Sequence, residues 1–226
     1  MPLKRELEPE VMDTVEDAVD YNSMDHSQVN QQFVSDMIQF GKSVGVLSLT
    51  QVLDLGTGTA LIPIELCTVD QNCKVVAIDM AEQMLILARQ NVKTAGFGDR
   101  IELKKVDAKG LEFDDGSFPC VMSNSIIHHI AEPARCVEEL LRVTAPGGLI
   151  YIRDLMRPES DQSVAEIVQA YAGAENEHSQ KLFDDSLRAA LSLEEMQQLI
   201  ESFGIESTTV TATSDRHWTW AAVKFV

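Results

Sequence analysis

The stretch Gly56–Thr59 reads Gly-Thr-Gly-Thr and lies between an apolar run and a helix candidate. Glycines at such a turn let a ligand approach the backbone, and the free N–H groups of a helix N-terminus bind polar or anionic groups. Asp79 ends the next apolar run, at the spacing of a carboxylate that accepts hydrogen bonds from ribose hydroxyls. The turn and the carboxylate together predict a nucleotide-type site, although the glycines could serve helix–strand packing alone.

Asp54, two residues before the first glycine, bears on which nucleotide could bind. Its charge would oppose a pyrophosphate, whereas it suits a ligand that carries an ammonium or sulfonium group. A nicotinamide-dependent oxidoreductase with the same first half-site is an alternative, but the sequence shows no second mononucleotide half.

A pair of histidines, His128 and His129, follows four residues after Asn124, which ends a predicted strand. His128 could act as a general base, because an imidazole pKa of about 6.5 suits proton abstraction from a hydroxyl, thiol or ammonium. His129 is expected to face differently and is the second candidate. One or both could instead cap the next helix or line a cleft. No metal is expected, because adjacent histidines do not readily chelate one ion and no third ligand has suitable spacing.

Composition limits the class of protein. A chain of 226 residues with 45% apolar content predicts one domain, residues 1–226. Its formal charge of −18 disfavours nucleic acids, since it repels phosphate backbones. The four cysteines show no metal-binding spacing and are expected to be buried. We expect a cytoplasmic protein without a membrane span, because no apolar leader or spanning run is visible.

The order of apolar runs predicts an α/β fold. Five short runs, QVLDLG, KVVAID, RIELKKVD, PCVMSN and LIYIRDL, read as strands that alternate with helix candidates, and STTVTAT and WTWAAVKFV read as two final strands. Helices are predicted over 81–95 and 133–144, the second one breaking at APGG. Near-continuous apolar strands of this kind form a mostly parallel, Rossmann-like sheet covered by helices on both faces.

Two segments fall outside the alternation. Residues 1–48 predict an N-terminal helical cap with a helix from about Ser27 whose Val29, Phe33, Met37 and Phe40 face inward, and residues 155–191 predict a helical lid inserted after strand five. Both could cover an acceptor. The candidate acceptor-binding residues in and near these segments are Tyr21, His26, Arg157 and Arg216, although Arg157 could simply pair with local acids.

Several motifs together resemble those of the class I S-adenosylmethionine-dependent methyltransferases. LDLGTGTA, VVAIDMAEQML, KKVDAKGLEFDDGSFPCVMSNSIIHHI and LLRVTAPGGLIYIRDL match that family's successive motifs, and the resemblance runs from about Tyr21 to the C-terminus. It is similar above all to the small-molecule branch of the ubiquinone/menaquinone (UbiE-like) methyltransferases. The resemblance implies seven strands, the last antiparallel, and S-adenosylmethionine as cofactor with S-adenosylhomocysteine as product.

The resemblance also implies roles for individual residues. The methionyl part would be held by Asp54, Gly56 and Gly58 with help from Thr57 and Thr59, the ribose by Asp79, the adenine by Met80, Asp107 and Ala108, and Asn124 would line the methionyl end. The reaction would be in-line methyl transfer to an O, N, S or C atom of a small molecule, by a monomer or homodimer. A non-catalytic cofactor-binding partner subunit is a further alternative.

Overall fold

The computed structural model describes residues 3–9, 11, 13–46 and 49–224. The helices of this part are α1 Val15–Ser23, α2 Ser27–Ser43, α3 Leu61–Val69, α4 Glu82–Ala95, α5 Pro133–Val143, α6 Asp161–Ala172, α7 Glu177–Ala189 and α8 Leu193–Ser202, with 3₁₀ helices Ile127–His129 and Ser207–Thr209. The strands are β1 Gln51–Leu55, β2 Lys74–Asp79, β3 Ile101–Lys105, β4 Phe118–Asn124, β5 Thr144–Leu155, β6 Val210–Ala212 and β7 His217–Val223.

The strands form one seven-stranded sheet in the order β3-β2-β1-β4-β5-β7-β6. Strand β1 pairs in parallel with β2 and β4, and β2 pairs in parallel with β3. The last strand, β7, runs antiparallel to both of its neighbours. The predicted Rossmann-like, mostly parallel fold is therefore confirmed. The strand order reverses between β1 and β4, which is where open α/β sheets bind their ligands.

The chain divides into two compact units. The sheet unit comprises Val11–Asn124, Arg135–Ile152 and Ala221–Val226. The helical unit comprises Met1–Glu10, Ser125–Ala134 and Arg153–Trp220. The single domain stays a prediction.

The core of the sheet unit forms where apolar strands meet α2. Val52 of β1 is fully buried, as are Phe33 and Met37 of α2, and the Phe33 ring meets Tyr151 of β5 edge-on with 5.3 Å between centroids. The prediction of a helix from about Ser27 is confirmed. Val29 was expected to face inward but is 42% exposed, because it lies in the first turn of α2, one turn before the part that packs on the core.

The helical unit has its own core, to which α6 and α7 contribute, and both helices lie within the predicted helical lid, residues 155–191. Val164 of α6 and Leu187 of α7 are fully buried and pack with Leu155 and with Leu3 from the N-terminal segment. Tyr171, near the end of α6, is 47% exposed and its hydroxyl donates to Asp215. A polar partner at the surface thus takes the place of core packing.

The ends of elements follow the expected capping chemistry. Ser192 and Glu195 form a capping box at the start of α8, with both reciprocal hydrogen bonds present. Gly96 adopts a left-handed conformation at the end of α4, as a C-terminal glycine should.

Some predicted boundaries differ from the structure. Helix α1 was not predicted, and it makes the N-terminal cap of residues 1–48 contain two helices. APGG does not separate α5 from β5, because β5 already begins at Thr144. The Gly147 N–H donates to the Lys224 carbonyl, and the Lys224 N–H donates to the Gly148 carbonyl, which continues the strand through this glycine pair.

Residues 1–2, 10, 12 and 47–48 of the predicted cap and residues 225–226 of the predicted final strand lie outside the described residues. None of the described helices has both the length and the apolarity that a membrane crossing requires.

Candidate functional site

The turn after β1 has a left-handed backbone at both of its glycines. Gly56 and Gly58 have φ values of 69° and 55°, and Ala60, which precedes α3, has φ 62°. Only glycine adopts this left-handed region without steric cost. The N–H of Thr57 donates to the Ile78 carbonyl over 2.8 Å. The turn is therefore fixed against the end of β2.

A small pocket opens at this turn, inside the sheet unit. We call it the glycine-turn pocket. It lies at the carboxyl ends of β1 and β4, where the strand order reverses. Helix α1 contributes Tyr21 to its lining, and helix α2 contributes Asn30. The residues that line it are Tyr21, Asn30, Asp54, Gly56, Thr57, Thr59, Leu61, Ile62 and Asn124.

Several polar atoms in the lining are buried without a protein partner. Thr59 Oγ1 and Asn124 Oδ1 make no hydrogen bond within the part of the chain that the structure describes. Asp54 is only 2% exposed. Burial raises its pKa to about 7, and the nearby Asp79 charge adds to the rise. Such groups are costly unless a ligand pairs with them, and an ammonium or sulfonium group with hydrogen-bonding neighbours fits this donor and acceptor set.

Asp79 links the turn to the start of α4. Its carboxylate accepts from the Gly58 N–H over 2.7 Å and from the Ala81 N–H over 2.8 Å. Burial raises the pKa of Tyr21 to about 12, and the charges of Asp79 and Asp54 add to this rise. The Tyr21 ring stacks on His26 with 4.6 Å between centroids. Tyr21 and His26, predicted to contact the acceptor, therefore lie together beside this pocket.

The residues expected at the adenine end lie outside the lining of the glycine-turn pocket. Met80 is 39% exposed, so it is not a core residue. Asp107 accepts from the Lys109 N–H over 2.8 Å and pairs with the Lys109 ammonium at 3.1 Å. Ala108 is buried. All three follow β2 or β3 at the carboxyl ends of those strands.

A second group of buried polar side chains lies inside the helical unit. His128 is 4% exposed and Asp154 is fully buried, and His128 Nδ1 lies 2.5 Å from Asp154 Oδ1. The same carboxylate accepts from the N–H groups of Ile127 and Leu155. Asp154 thus fixes both the His128 ring and the short 3₁₀ helix that carries it.

Glu8 joins this pair from the N-terminal segment. Its Oε1 lies 2.9 Å from His129 Nδ1 and 3.7 Å from His128 Nε2, and the Ser186 hydroxyl also reaches its carboxylate. We call Glu8, His128, His129 and Asp154 the histidine cluster. No motif in the sequence marked Glu8, because it is 120 residues from His128 along the chain (128 − 8).

Within the histidine cluster, the pKa of His128 is raised, whereas the pKa values of His129, Glu8 and Asp154 are lowered. Burial lowers the pKa of His128, but the charge and hydrogen bond of Asp154, with the charge of Glu8, outweigh it and raise the pKa overall. Burial and the neighbouring His128 lower the pKa of His129. Burial favours the neutral forms of Glu8 and Asp154, yet the imidazoles hold the pKa of both carboxyls below its usual value.

The two predicted arginines already have protein partners in the helical unit. Arg157 pairs with Glu195 at 2.6 Å and donates to the Leu3 and Ala190 carbonyls. Arg216 lies over the Tyr171 ring at 3.4 Å from its centroid. Arg157 therefore pairs with a local acid, which was the alternative to an acceptor-binding role.

Three comparisons with known proteins find similarity to methyltransferases. A family model described as a methyltransferase domain matches residues 47–209. A demethylmenaquinone methyltransferase of Clavibacter sepedonicus is 36% identical over 117 residues, 52% of this chain and 46% of that protein. The ubiquinone/menaquinone biosynthesis C-methyltransferase UbiE of Hahella chejuensis is 26% identical over 171 residues, 71% of this chain and 69% of that protein. The chain spans about half the length of the first curated relatives that it matches.

Among solved structures, a SAM-dependent methyltransferase from Aquifex aeolicus superposes with a TM-score of 0.66 at 20% identity. The superposition covers 93% of this chain and 98% of that one. At this identity, the likeness is one of fold.

Proposed function

This chain belongs to the methyltransferase-domain family, and we propose that it transfers a methyl group from S-adenosylmethionine to a small-molecule acceptor. The observation that carries the proposal is the glycine-turn pocket. There the buried Asp54 and the unpartnered Thr59 Oγ1 and Asn124 Oδ1 meet at the reversal of the strand order. A cationic ligand with hydrogen-bonding groups would satisfy all three.

Different residues of the chain would bind different parts of the cofactor. Asp54 and the turn from Gly56 to Thr59 would hold the methionyl part, and Asn124 would line its end. Asp79 would accept from the ribose hydroxyls, while Met80, Asp107 and Ala108 would contact the adenine. The bound cofactor supplies an electrophilic methyl group on a sulfonium. The protein's contribution would be to align an acceptor atom with it, since positioning alone can supply much of the rate of such a displacement.

The acceptor would present an O, N, S or C nucleophile. The relatives named above carry names of quinone-biosynthesis methyltransferases, and a small organic acceptor is the class that this chain would share with them. We expect the working protein to be a monomer or a homodimer.

General-base help from His128 belongs to the same proposal. Its support is the Asp154 carboxylate, which holds Nδ1 and leaves Nε2 as the atom that could take a proton. The raised pKa of His128 works against it, because an imidazole that is already protonated cannot accept a proton. Acceptors that ionise by themselves would need no base.

Binding of a nicotinamide dinucleotide is the competing function. The buried Asp54 beside the first glycine would repel its pyrophosphate. A non-catalytic subunit is the other alternative, and it would bind S-adenosylhomocysteine without methylating any acceptor.

Calorimetric titration with S-adenosylhomocysteine and, separately, NADH tests the proposal. We expect binding of the first alone, with affinity reduced about tenfold or more in Asp79→Ala because the ribose loses its acceptor. Asp99→Ala, an exposed aspartate, is the matched control. Circular dichroism must show that Asp79→Ala is folded, since Asp79 also fixes the turn, and Asp79→Asn repeats the test with less disturbance. Binding of NADH alone, or of neither ligand by the folded protein, would overturn the proposal.

A further inference from the structure

The histidine cluster brings three metal-ligating side chains together from two distant segments. Glu8 comes from the N-terminal segment, and His128 and His129 come from the 3₁₀ helix after β4. One ligand atom from each residue lies within 4.8 Å of the other two. The centroids of the two imidazole rings are 4.0 Å apart. Adjacent histidines therefore do converge here, which their spacing in the sequence did not suggest.

Asp154 prepares one of these histidines as a ligand. When His128 is neutral, its contact with Asp154 favours a proton on Nδ1, so that Nε2, which lies toward Glu8, would carry the lone pair that binds a metal. A carboxylate behind a histidine is the support that metal-bound histidines usually have, because it fixes the tautomer and the ring orientation.

The distances between the ligand atoms are close to those of a metal site. The 3.7 Å between His128 Nε2 and Glu8 Oε1 is too long for a hydrogen bond. His129 Nδ1 is buried and lies 2.9 Å from the same oxygen, a hydrogen-bond distance at which the ring N–H is poorly aligned. Three ligands about 2.1 Å from a tetrahedral zinc ion would be roughly 3.4 Å apart. The two measured separations lie on either side of that value.

We propose that Glu8, His128 and His129 bind one divalent transition-metal ion of the zinc class, with Asp154 supporting His128. Two imidazoles and one carboxylate favour such an ion over magnesium or calcium, which prefer all-oxygen sites. Three protein ligands leave a fourth position open to water or to an oxygen, nitrogen or sulfur atom of a bound molecule. A metal-bound His128 could not also serve as a general base.

The ion would fasten residues 3–9 to the rest of the helical unit. That segment is already held by Arg5, which donates to the carbonyls of Ala189 and Ile130, and by the Glu6 N–H, which donates to the Arg188 carbonyl. Glu8 is thus delivered to the histidines by contacts that do not involve the ion. This inference stands apart from the proposed methyl transfer, because neither the ligands nor the test involves the cofactor.

Metal binding is measured on the full chain after removal of metals with a chelator. Titration with ZnCl₂, followed by calorimetry, should show one site for each chain. Glu8→Gln and His129→Asn should each weaken it about tenfold or more, because each removes one of three protein ligands. Glu6→Gln and His178→Asn change exposed residues of the same types in the same unit and should leave it unchanged. MgCl₂ in place of ZnCl₂ should give no comparable binding.

Cobalt identifies the ligands independently, since the buried Cys67 and Cys73, whose sulfurs are 3.5 Å apart, could also bind a thiophilic ion. The Co²⁺ form should show tetrahedral d–d absorption without a thiolate charge-transfer band. Hydrogen exchange should slow at the Glu6 amide when zinc is added, and Glu8→Gln should abolish this protection.

The proposal is overturned if zinc does not bind at one equivalent, or if Glu8→Gln and His129→Asn bind it as well as their controls. A thiolate band that persists in Glu8→Gln would also overturn it and would place the ion on the cysteines. S-adenosylhomocysteine is titrated into the same proteins. Loss of zinc binding with retained cofactor binding affects only this inference, and the opposite result affects only the proposed function.

Discussion

The glycine-turn pocket and the histidine cluster both bury carboxylates, but they treat the charge in opposite ways. In the pocket, burial raises the pKa of Asp54, and the neighbouring Asp79 adds to the rise. In the cluster, imidazoles and backbone N–H groups hold the pKa of Asp154 below its usual value in spite of complete burial. Among the lining residues of the pocket, no cationic side chain pairs with Asp54, and a bound ligand could supply that positive charge. In the cluster, the imidazoles of the protein itself can balance the carboxylates of Glu8 and Asp154.

The largest effect is expected where the charges are balanced inside the protein. Asp154→Asn should lower the free energy of unfolding by about 3–5 kcal/mol, because it leaves His128 without its buried counter-charge. Urea unfolding measures the loss, with the exposed Asp99→Asn as control. A loss below about 1 kcal/mol would mean that Asp154 and His128 do not form a charged pair, and the contrast with the pocket would fail.

The pocket should respond to the loss of its charge in the opposite direction. The pKa of Asp54 is raised in the folded state, from 3.8 to about 7, so the folded protein holds the proton more tightly than the unfolded chain. Stability should therefore fall as pH rises between these values. Asp54→Asn should stabilise the ligand-free protein at pH 8 by on the order of 2–4 kcal/mol, and by less at pH 5.

Urea unfolding of both proteins at the two pH values checks this prediction. An advantage of the Asn variant that does not grow with pH would show that the Asp54 carboxylate already has a partner in the folded protein.

The backbone of the pocket should tolerate a methyl group poorly even where there is room for it. Gly58→Ala would place its Cβ 3.7 Å from the Tyr21 ring, an ordinary contact, but at φ 55°. The conformation alone should cost about 1–2 kcal/mol of stability. Gly98→Ala, where nothing lies within 4 Å and φ is not in the left-handed region, is the matched control. Equal unfolding temperatures of the two variants would contradict a need for glycine at position 58.

The smallest effect concerns the unpartnered hydroxyl in the pocket. Thr59→Val removes the buried Oγ1 and keeps the shape of the side chain, so it should stabilise the ligand-free protein by up to about 1 kcal/mol. The same change should weaken S-adenosylhomocysteine binding if that hydroxyl contacts the cofactor. Thr50→Val, at an exposed threonine, is the control for both measurements. A destabilised Thr59→Val would indicate that the hydroxyl has a partner in the folded protein.

The same contrast explains what the sequence could and could not predict. The strand, glycine turn and following acid of the pocket are close in sequence, so local rules located Asp54, Gly56 and Asp79 in one region. The fold followed from alternating apolar runs for the same reason. Glu8 and Asp154 were not connected to the histidine pair, because only the folded chain brings residue 8 beside residue 128.

Helix faces were predicted less well than helix positions. The apolar spacing located α2, yet Val29 is exposed. Periodicity identifies the side of a helix that packs, but not where along the helix the packing begins or ends. That depends on the length and position of the neighbouring elements, which local sequence does not specify.

The contacts of residues 3–8 also constrain the order in which the protein folds. Arg5 bonds to Ala189 across 184 residues, and Glu8 bonds to Ser186 across 178. During synthesis these N-terminal residues leave the ribosome long before their partners exist. Contacts of such long range close late, because the chain between them must first be organised. The N-terminal segment is thus made early and fixed late, and the Glu8 side of the histidine cluster forms only after α7 has been synthesised.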